Sequence, residues 1–295
     1  MPTPYSPTID TDAITALDVH THVEADDHDH FALDDDLLAA SARYFRSDDN
    51  RTPTVDDLAA YYRERQMAAV IFTVDATTGL GHPALSSEEI ATKAVEHSDV
   101  LIPFGSVDPW DAHAVQRARR LVTEYGVRGF KFHPSLQAFE PNDRQFYPLY
   151  ETLQELGVVA LFHTGQTGIG AGLPGGRGIK TRYSDPMLLD DVAADFPGLD
   201  IIMAHPSVPW VDAQISIATH KSNVHIDLSG WSPKYFPPQL VHAAGRMLKH
   251  KVLFGSDYPV LSPDRWMTAF DKLDIAEDVR PLIFKENALR LLRLA

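Results

Sequence analysis

The sequence contains no cysteine, which excludes disulfide bonds and thiolate metal sites. Any metal ion would therefore be held by histidine, aspartate, glutamate or a modified lysine. Basic residues are also scarce, since 26 lysines and arginines stand against 41 acidic residues and give a net charge of −15. Nucleic acids and anionic membranes bind basic protein surfaces, so neither is an expected partner. The expected partner is a small-molecule substrate.

Long apolar runs are missing as well. No run approaches the length of about 18 residues that a transmembrane helix needs, so none is predicted. The opening stretch MPTPYSPTIDTD has neither the basic nor the apolar segment of a secretory signal peptide. We therefore expect a cytoplasmic protein, with residues 1–11 as a loose N-terminal leader and residues 12–295 as one catalytic domain.

The sequence does contain eight short apolar runs, each ending in polar residues. They span 16–23, 68–75, 101–108, 127–134, 158–165, 200–207, 224–231 and 252–259. Runs this short and apolar on both faces are typical of parallel strands that are buried on both sides. Helical patterns separate them, and eight right-handed βα units can close into a (β/α)8 TIM barrel. This α/β barrel is the predicted fold, and an open, doubly wound sheet is the alternative.

Two connections in this pattern are longer than the others. Residues 24–54 follow the first strand and contain a predicted short helix over 33–45. Residues 165–184 follow the fifth strand and are rich in glycine. Both follow the C-terminal ends of strands, where a barrel places its active site. We therefore predict a single-domain barrel with insertions after strands 1 and 5.

The stretch DVHTH places His20 and His22 two residues apart at the end of the first strand. Residues i and i+2 of a strand point to one face, so both imidazoles would project the same way. Closure of the barrel would bring Asp257 of strand 8 to this pair, and His163 would reach the same centre from strand 5. Three imidazoles and a carboxylate, with room for water, are typical of a catalytic zinc or similar divalent site. His205, at the end of strand 6, would be free to move a proton.

Four motifs occur in order on the predicted strands, namely DVHTH, FHTG, MAHPS and FGSDYP. Together with NVHIDLSGW and the C-terminal KENALRLL, they resemble the amidohydrolase superfamily from about residue 16 to the end of the chain. The branch that the sequence resembles is the amidohydrolase-2 group, which includes enzymes similar to aminocarboxymuconate-semialdehyde decarboxylase.

The resemblance implies one bound divalent metal ion, Zn²⁺ first, with Mn²⁺ and Fe²⁺ as alternatives. Its ligands would be His20, His22, His163 and Asp257. His205 would orient or deprotonate a metal-activated water and Asp257 would relay a proton, so these two are the expected catalytic residues. By analogy with the family, we also expect a homo-oligomer.

Two reaction classes are compatible with this ligand set. The first is hydrolysis of a small organic substrate, acidic or aromatic, including carbon–carbon bond hydrolysis of a β-keto compound. The second is non-oxidative decarboxylation of an aromatic or unsaturated acid by a metal-dependent carboxy-lyase. A metal-free lactonase and an inactive metal-binding scaffold are further alternatives, and the complete ligand set argues against both.

Three further residues are candidates for binding the substrate or a second metal ion. Lys131 would pair with an acidic neighbour, bind a substrate oxygen or, if carbamylated, bridge two metal ions. His133, two residues later on strand 4, would face the substrate or be structural. Arg177 lies in the glycine-rich insertion, where it would be exposed to solvent or would bind an acidic substrate through its guanidinium group.

Overall fold

The structure, a computed structural model, describes residues 2–46 and 52–294 of the chain. Within these ranges eight parallel strands alternate with helices. The strands are β1 (Ala16–His22), β2 (Met67–Phe72), β3 (Leu101–Pro103), β4 (Gly129–Phe132), β5 (Val159–His163), β6 (Ile201–Ala204), β7 (Val224–Asp227) and β8 (Val252–Leu253). All eight predicted strands are confirmed, and each lies within the corresponding apolar run.

Twelve α-helices occupy the connections within the described ranges. They are α1 (Asp35–Phe45), α2 (Val55–Glu64), α3 (Thr77–Leu80), α4 (Ser87–Ala94), α5 (Ala114–Tyr125), α6 (Pro134–Gln137), α7 (Tyr147–Leu156), α8 (Leu188–Asp195), α9 (Val211–His220), α10 (Pro238–Ala244), α11 (Pro263–Phe270) and α12 (Asn287–Leu291). None of these helices is both long and apolar enough to cross a lipid bilayer. The predicted helix of the first insertion is confirmed as α1. Residues 47–51 of that insertion, like Met1 and Ala295, lie outside the described residues.

Capping residues mark the ends of several helices. Ser86 precedes α4, and its hydroxyl accepts a hydrogen bond from the amide of Glu89 at 3.2 Å. Helices α5 and α7 are each followed by a glycine in the left-handed conformation, Gly126 at φ 77° and Gly157 at φ 65°. Glycine adopts this conformation without the steric cost of a Cβ atom, so both helices stop there.

Hydrogen bonds divide the strands into two sheets, β1-β2-β3 and β4-β5-β6-β7-β8. Parallel bridges connect the two sheets on both sides. Gly105, after β3, pairs with Phe130 of β4, and Thr21 of β1 pairs with Tyr258, after β8. The eight strands therefore form one (β/α)8 barrel, as predicted, and not an open doubly wound sheet.

Alternate strand residues form two apolar layers. One layer packs between the strands and the surrounding helices, and it includes Ile71, Phe132 and Phe162. The other layer fills the inside of the barrel with side chains such as Val19 and Leu161. This interior packing closes the lower part of the barrel, so that polar strand ends can gather only at its C-terminal mouth.

The segment before β1 contacts the barrel through Tyr5. This side chain is buried, and its hydroxyl donates to the carbonyl of Leu101 at 2.7 Å. The amide of Tyr5 also donates to the carbonyl of Tyr125 at 2.8 Å. These contacts attach the segment to β3 and to the end of α5. The boundary between a leader and the domain at residue 11 stays a prediction.

Asn223, immediately before β7, offers a test of the packing between α8 and the barrel. Its side-chain amide is buried and donates to three backbone carbonyls after or within α8, those of Ala193, Phe196 and Leu199. We expect Asn223→Ala to lower the free energy of unfolding by about 1–3 kcal/mol, because buried acceptors lose their donor. Asn142→Ala removes one exposed hydrogen bond to Asp191 and should cost less than about 0.5 kcal/mol. Equal losses for the two variants in urea denaturation would contradict this account.

Candidate metal and active site

A β-bulge in β1 turns its histidines toward the inside of the barrel. The register of β1 against β2 shifts by one residue between Asp18 and Thr21. Val19 packs in the barrel interior, and His22 pairs with Phe72, which packs there as well. A regular strand would place Val19 and His22 on opposite faces. The bulge thus lets one short strand contribute both to the apolar interior and to the polar centre above it.

Asp257 lies in the chain that follows β8 and contacts both imidazoles of β1. Its Oδ1 lies 3.1 Å from Nε2 of His22 and 3.2 Å from Nε2 of His20. The amide of Asp257 donates to the carbonyl of His20 at 2.9 Å, which fixes the backbone at this contact. Asp257 and His205 both have left-handed backbones, at φ 68° and φ 70°. Such conformations are uncommon for residues other than glycine and cluster at functional sites.

Three histidines from neighbouring strands extend this centre on the opposite side. Nε2 of His205 lies 3.0 Å from Nδ1 of His163. The ring of His163 stacks on that of His133, with centroids 3.8 Å apart and planes 9° from parallel. Nε2 of His163 is buried and has no hydrogen-bond partner among the described residues. The centre therefore contains a buried nitrogen whose hydrogen-bonding capacity is not used by the protein.

The structure brings together most of the predicted site. Ligand atoms of His20, His205 and Asp257 lie within 4.8 Å of one another, which is close enough for one ion. His22 joins this group through Asp257, and His163 joins it through His205. His205 thus lies among the ligand atoms and not outside them. The division of these residues into metal ligands and proton carriers stays a prediction.

Burial sets the protonation of the centre. It lowers the pKa of His22 and of His205 to about 4, so that both imidazoles are neutral at pH 7. Burial would raise the pKa of Asp257, but hydrogen bonds to His20 and His22 outweigh it and hold that pKa well below the ordinary value. Burial lowers the pKa of Lys131 to about 8. Burial would also lower the pKa of His20, but its contacts with Asp227 and Asp257 outweigh this and raise that pKa. His22 and His205 are thus neutral nitrogen donors beside the Asp257 carboxylate.

This donor set fits a divalent metal ion. Neutral imidazoles and carboxylates are the ligands that Zn²⁺ and similar ions prefer when no thiolate is present. The unpartnered Nε2 of His163 is consistent with a ligand that the protein itself does not supply, because buried polar groups otherwise find partners. His20, His22, His163, His205 and Asp257 are the residues that could hold the ion.

A cavity lies directly above this centre. Its floor contains His22, Lys131, His163, His205 and Asp257. Its walls are largely apolar and come from both insertions and from the loops after β2, β4 and β8, including Leu33, Phe45, Leu80, Leu136, Ile169 and Val260. Glu24 also lines the cavity, where burial raises its pKa to about 8. The arrangement can hold the apolar body of a small molecule above the polar centre.

Of the three further candidates, Lys131 and His133 line the cavity and Arg177 does not. The ammonium group of Lys131 lies 3.0 Å from Nε2 of His20, and the Lys131 side chain is buried. Arg177 lies outside the cavity lining and donates to Oδ1 of Asp34 at 2.6 Å. Because Asp34 caps α1, this ion pair connects the two insertions to each other.

Sequence reasoning missed two buried residues at the end of β7, Asp227 and Ser229. Oδ2 of Asp227 lies 2.7 Å from Nδ1 of His20, and Oγ of Ser229 lies 2.9 Å from Nδ1 of His205. The sequence did contain a signal for Asp227. It is the last polar residue of β7, and the ligand candidates were likewise chosen from the polar residues at strand ends. Thr73, after β2, was missed as well, and its buried hydroxyl lines the cavity without a hydrogen-bond partner among the described residues.

Comparisons with known proteins agree with this fold. Similar solved structures include a TIM-barrel protein from Bordetella bronchiseptica, which is 19% identical, with 94% of this chain and 98% of that chain covered at a TM-score of 0.74. A dihydroxybenzoic acid decarboxylase from a Polaromonas species, with manganese and 2-nitroresorcinol bound, is 18% identical over 95% and 97% of the two chains, at a TM-score of 0.66. A probable 2-pyrone-4,6-dicarboxylic acid hydrolase from Acinetobacter baumannii is 15% identical over 95% and 100%, at a TM-score of 0.62.

A search of curated protein sequences finds no match. The amidohydrolase family model, in contrast, matches residues 17–294, which is nearly the whole chain. The match begins at the strand that carries His20 and His22 and includes every residue of the centre described above. The resemblance seen in the sequence motifs is thereby confirmed, and the chain belongs to the amidohydrolase-2 family of the amidohydrolase superfamily.

Proposed function

We propose that this protein is a metal-dependent hydrolase of a small organic substrate with an apolar body. One observation carries the proposal: the buried group of imidazoles around Asp257 forms the floor of an apolar cavity. A substrate held by the walls would place its polar atoms against the ligand group, where hydrolysis needs a nucleophile and a proton carrier. The proposed partner is therefore a small molecule that enters from the C-terminal mouth of the barrel.

The proposed cofactor is one divalent ion, Zn²⁺ first and Mn²⁺ or Fe²⁺ as alternatives. Such an ion would supply a water of lowered pKa and would polarise the substrate carbonyl. His20, His22, His163 and Asp257 are the proposed ligands. Their burial and short mutual distances hold the donor atoms in place before an ion binds, which reduces the ordering that binding must cause.

The protein's own residues divide the remaining tasks. His205 is neutral at pH 7 and lies beside the ligand group, so it can exchange a proton with a reacting oxygen. Lys131 places a cationic group on the floor, where a developing negative charge on oxygen would be stabilised. The apolar walls limit the access of bulk water, which strengthens both electrostatic interactions.

Decarboxylation is the second candidate function, and Lys131 is the observation that favours it. A buried ammonium group on the cavity floor, 3.0 Å from Nε2 of His20, would bind a substrate carboxylate next to the ligand group. The manganese-bound structure of similar fold is that of a decarboxylase, which supports the same alternative. The ligand group serves either reaction, so the products decide between them.

The metal prediction is tested by elemental analysis of protein purified without added metal. We expect about one equivalent of divalent metal in the wild type, since one compact ligand group is present. His20→Ala should lose it, because an imidazole at the centre of that group is removed. His28→Ala alters an exposed loop histidine and should retain the metal. Two equivalents would support a second ion near Lys131, and a wild type without metal after reconstitution would contradict the proposed mechanism.

The reaction is tested with a panel of aryl esters, lactones, β-diketones and hydroxybenzoic acids in H₂¹⁸O. Hydrolysis predicts ¹⁸O in the carboxylate product, whereas release of carbon dioxide without ¹⁸O in the aromatic product marks decarboxylation. His205→Ala should lower kcat by about 10²–10⁴, the usual contribution of general acid–base catalysis, while His28→Ala leaves it unchanged. Activity in His205→Ala equal to that of the wild type would exclude the role proposed for this residue.

A further inference from the structure

Asp227 and Ser229 lie beneath the candidate centre and outside the cavity. Both side chains are fully buried. Oδ1 of Asp227 accepts a hydrogen bond from the amide of Ser229 at 2.7 Å, which leaves its Oδ2 for Nδ1 of His20 at 2.7 Å. Asp227 and Ser229 contact two of the five residues at the centre, His20 and His205.

Asp227 determines where His20 carries its ring hydrogen. A carboxylate only accepts hydrogen bonds, so Nδ1 of His20 must donate to it. When Nε2 gives its lone pair to a metal ion, the one remaining ring hydrogen is therefore held on Nδ1. Nε2 faces Oδ1 of Asp257 at 3.2 Å and the ammonium group of Lys131 at 3.0 Å. The lone pair of His20 is thereby directed into the ligand group.

Ser229 has the opposite effect on His205. Its Oγ lies 3.0 Å from Nδ1 of His20 and 2.9 Å from Nδ1 of His205. Since Nδ1 of His20 already carries a hydrogen, the single hydroxyl hydrogen of Ser229 is available to Nδ1 of His205. That nitrogen becomes an acceptor, and the ring hydrogen of neutral His205 is on Nε2. Nε2 of His205 points to Nδ1 of His163 at 3.0 Å, at the cavity floor.

We propose that Asp227 and Ser229 are positioning residues that give His20 and His205 opposite tautomers. His20 presents a lone pair suited to a metal ion, and His205 presents an N–H suited to donating a hydrogen bond or a proton to a reacting oxygen. One carboxylate and one hydroxyl, two residues apart, thus assign different tasks to two adjacent imidazoles. The inference rests on the proposed function in one respect, since the ligand task of His20 requires the metal site.

Gly255, after β8, gives independent support. Because it has no side chain, it leaves room for the carboxylate of Asp227. A Cβ atom at this position would lie 2.7 Å from Oδ1 of Asp227 and 3.1 Å from Cβ of His20. The first separation is too short for unbonded atoms and the second is tighter than most such contacts, so a larger residue would displace the carboxylate. Gly255→Ala should therefore weaken the same contact without removing any polar group.

Nitrogen-15 NMR of the histidine rings tests the proposal. Two-bond ¹H–¹⁵N correlations distinguish the two tautomers, and single His→Gln substitutions assign the signals. We expect the ring hydrogen on Nδ1 of His20 and on Nε2 of His205 in the zinc-loaded wild type. Ser229→Ala should remove the preference of His205 and leave that of His20 in place. Asp200→Asn alters a carboxylate near a different histidine, His225, and should leave both signals unchanged.

Zinc affinity, measured by competition with a chelator, is the second readout. Asp227→Asn should weaken zinc binding by about 10–100-fold, the usual effect of removing the carboxylate behind a ligand histidine. Gly255→Ala should weaken it in the same direction, and Asp200→Asn should bind zinc as the wild type does. Circular dichroism confirms that each variant is folded.

Two results would overturn the inference: a ring hydrogen on Nε2 of His20, or zinc affinity in folded Asp227→Asn equal to that of the wild type. A wild type that binds no zinc would instead contradict the proposed function. The position of the ring hydrogen of His205 in the metal-free wild type and in Ser229→Ala would then still decide whether Ser229 positions that ring. The failure of one proposal is thus distinguishable from the failure of the other.

Discussion

The contact of Asp257 with His20 and His22 is the interaction on which the rest of the site depends. It lies where the first strand meets the chain after the last strand, so it joins the ends of the barrel as well as the ligand atoms. A buried carboxylate is costly unless it is paired, and these two imidazoles are its partners. Closure of the barrel at this seam therefore also brings the residues of the centre together.

The strand order and most of the centre were predictable because both follow from simple periodicity. Short runs that are apolar on both faces identified the eight strands, and the last polar residues of those runs identified His20, His163, His205 and Asp257 as neighbours. The bulge in β1 was not predictable, since it depends on how β1 and β2 pair and not on either strand alone. The prediction that His22 points inward is therefore correct, but the i, i+2 spacing on which it was based does not include the effect of the bulge.

Other features depend on contacts between distant parts of the chain, which no local pattern contains. Arg177 pairs with Asp34, 143 residues away, and this contact removes it from the cavity. Asp227 contacts His20 only because the folded barrel places the end of β7 beneath that ring. Glu24 follows the ligand pair in a polar stretch, yet the insertion folds back and partly buries it at the cavity wall. In each case the residue type was compatible with several environments, and tertiary packing selected one.

The meeting of the two insertions has a consequence for which residues determine the shape of the cavity. Phe45, the last residue of α1, packs directly against Gly168 of the glycine-rich insertion, where a side chain on Gly168 would collide with the ring. Both residues line the cavity, whereas the residues of the centre lie on the strands or shortly after them. The shape of the cavity roof can therefore change through loop substitutions while the reactive centre stays intact. This part of the cavity wall and the residues of the centre thus belong to separate segments of the chain, so that one can change in sequence without the other.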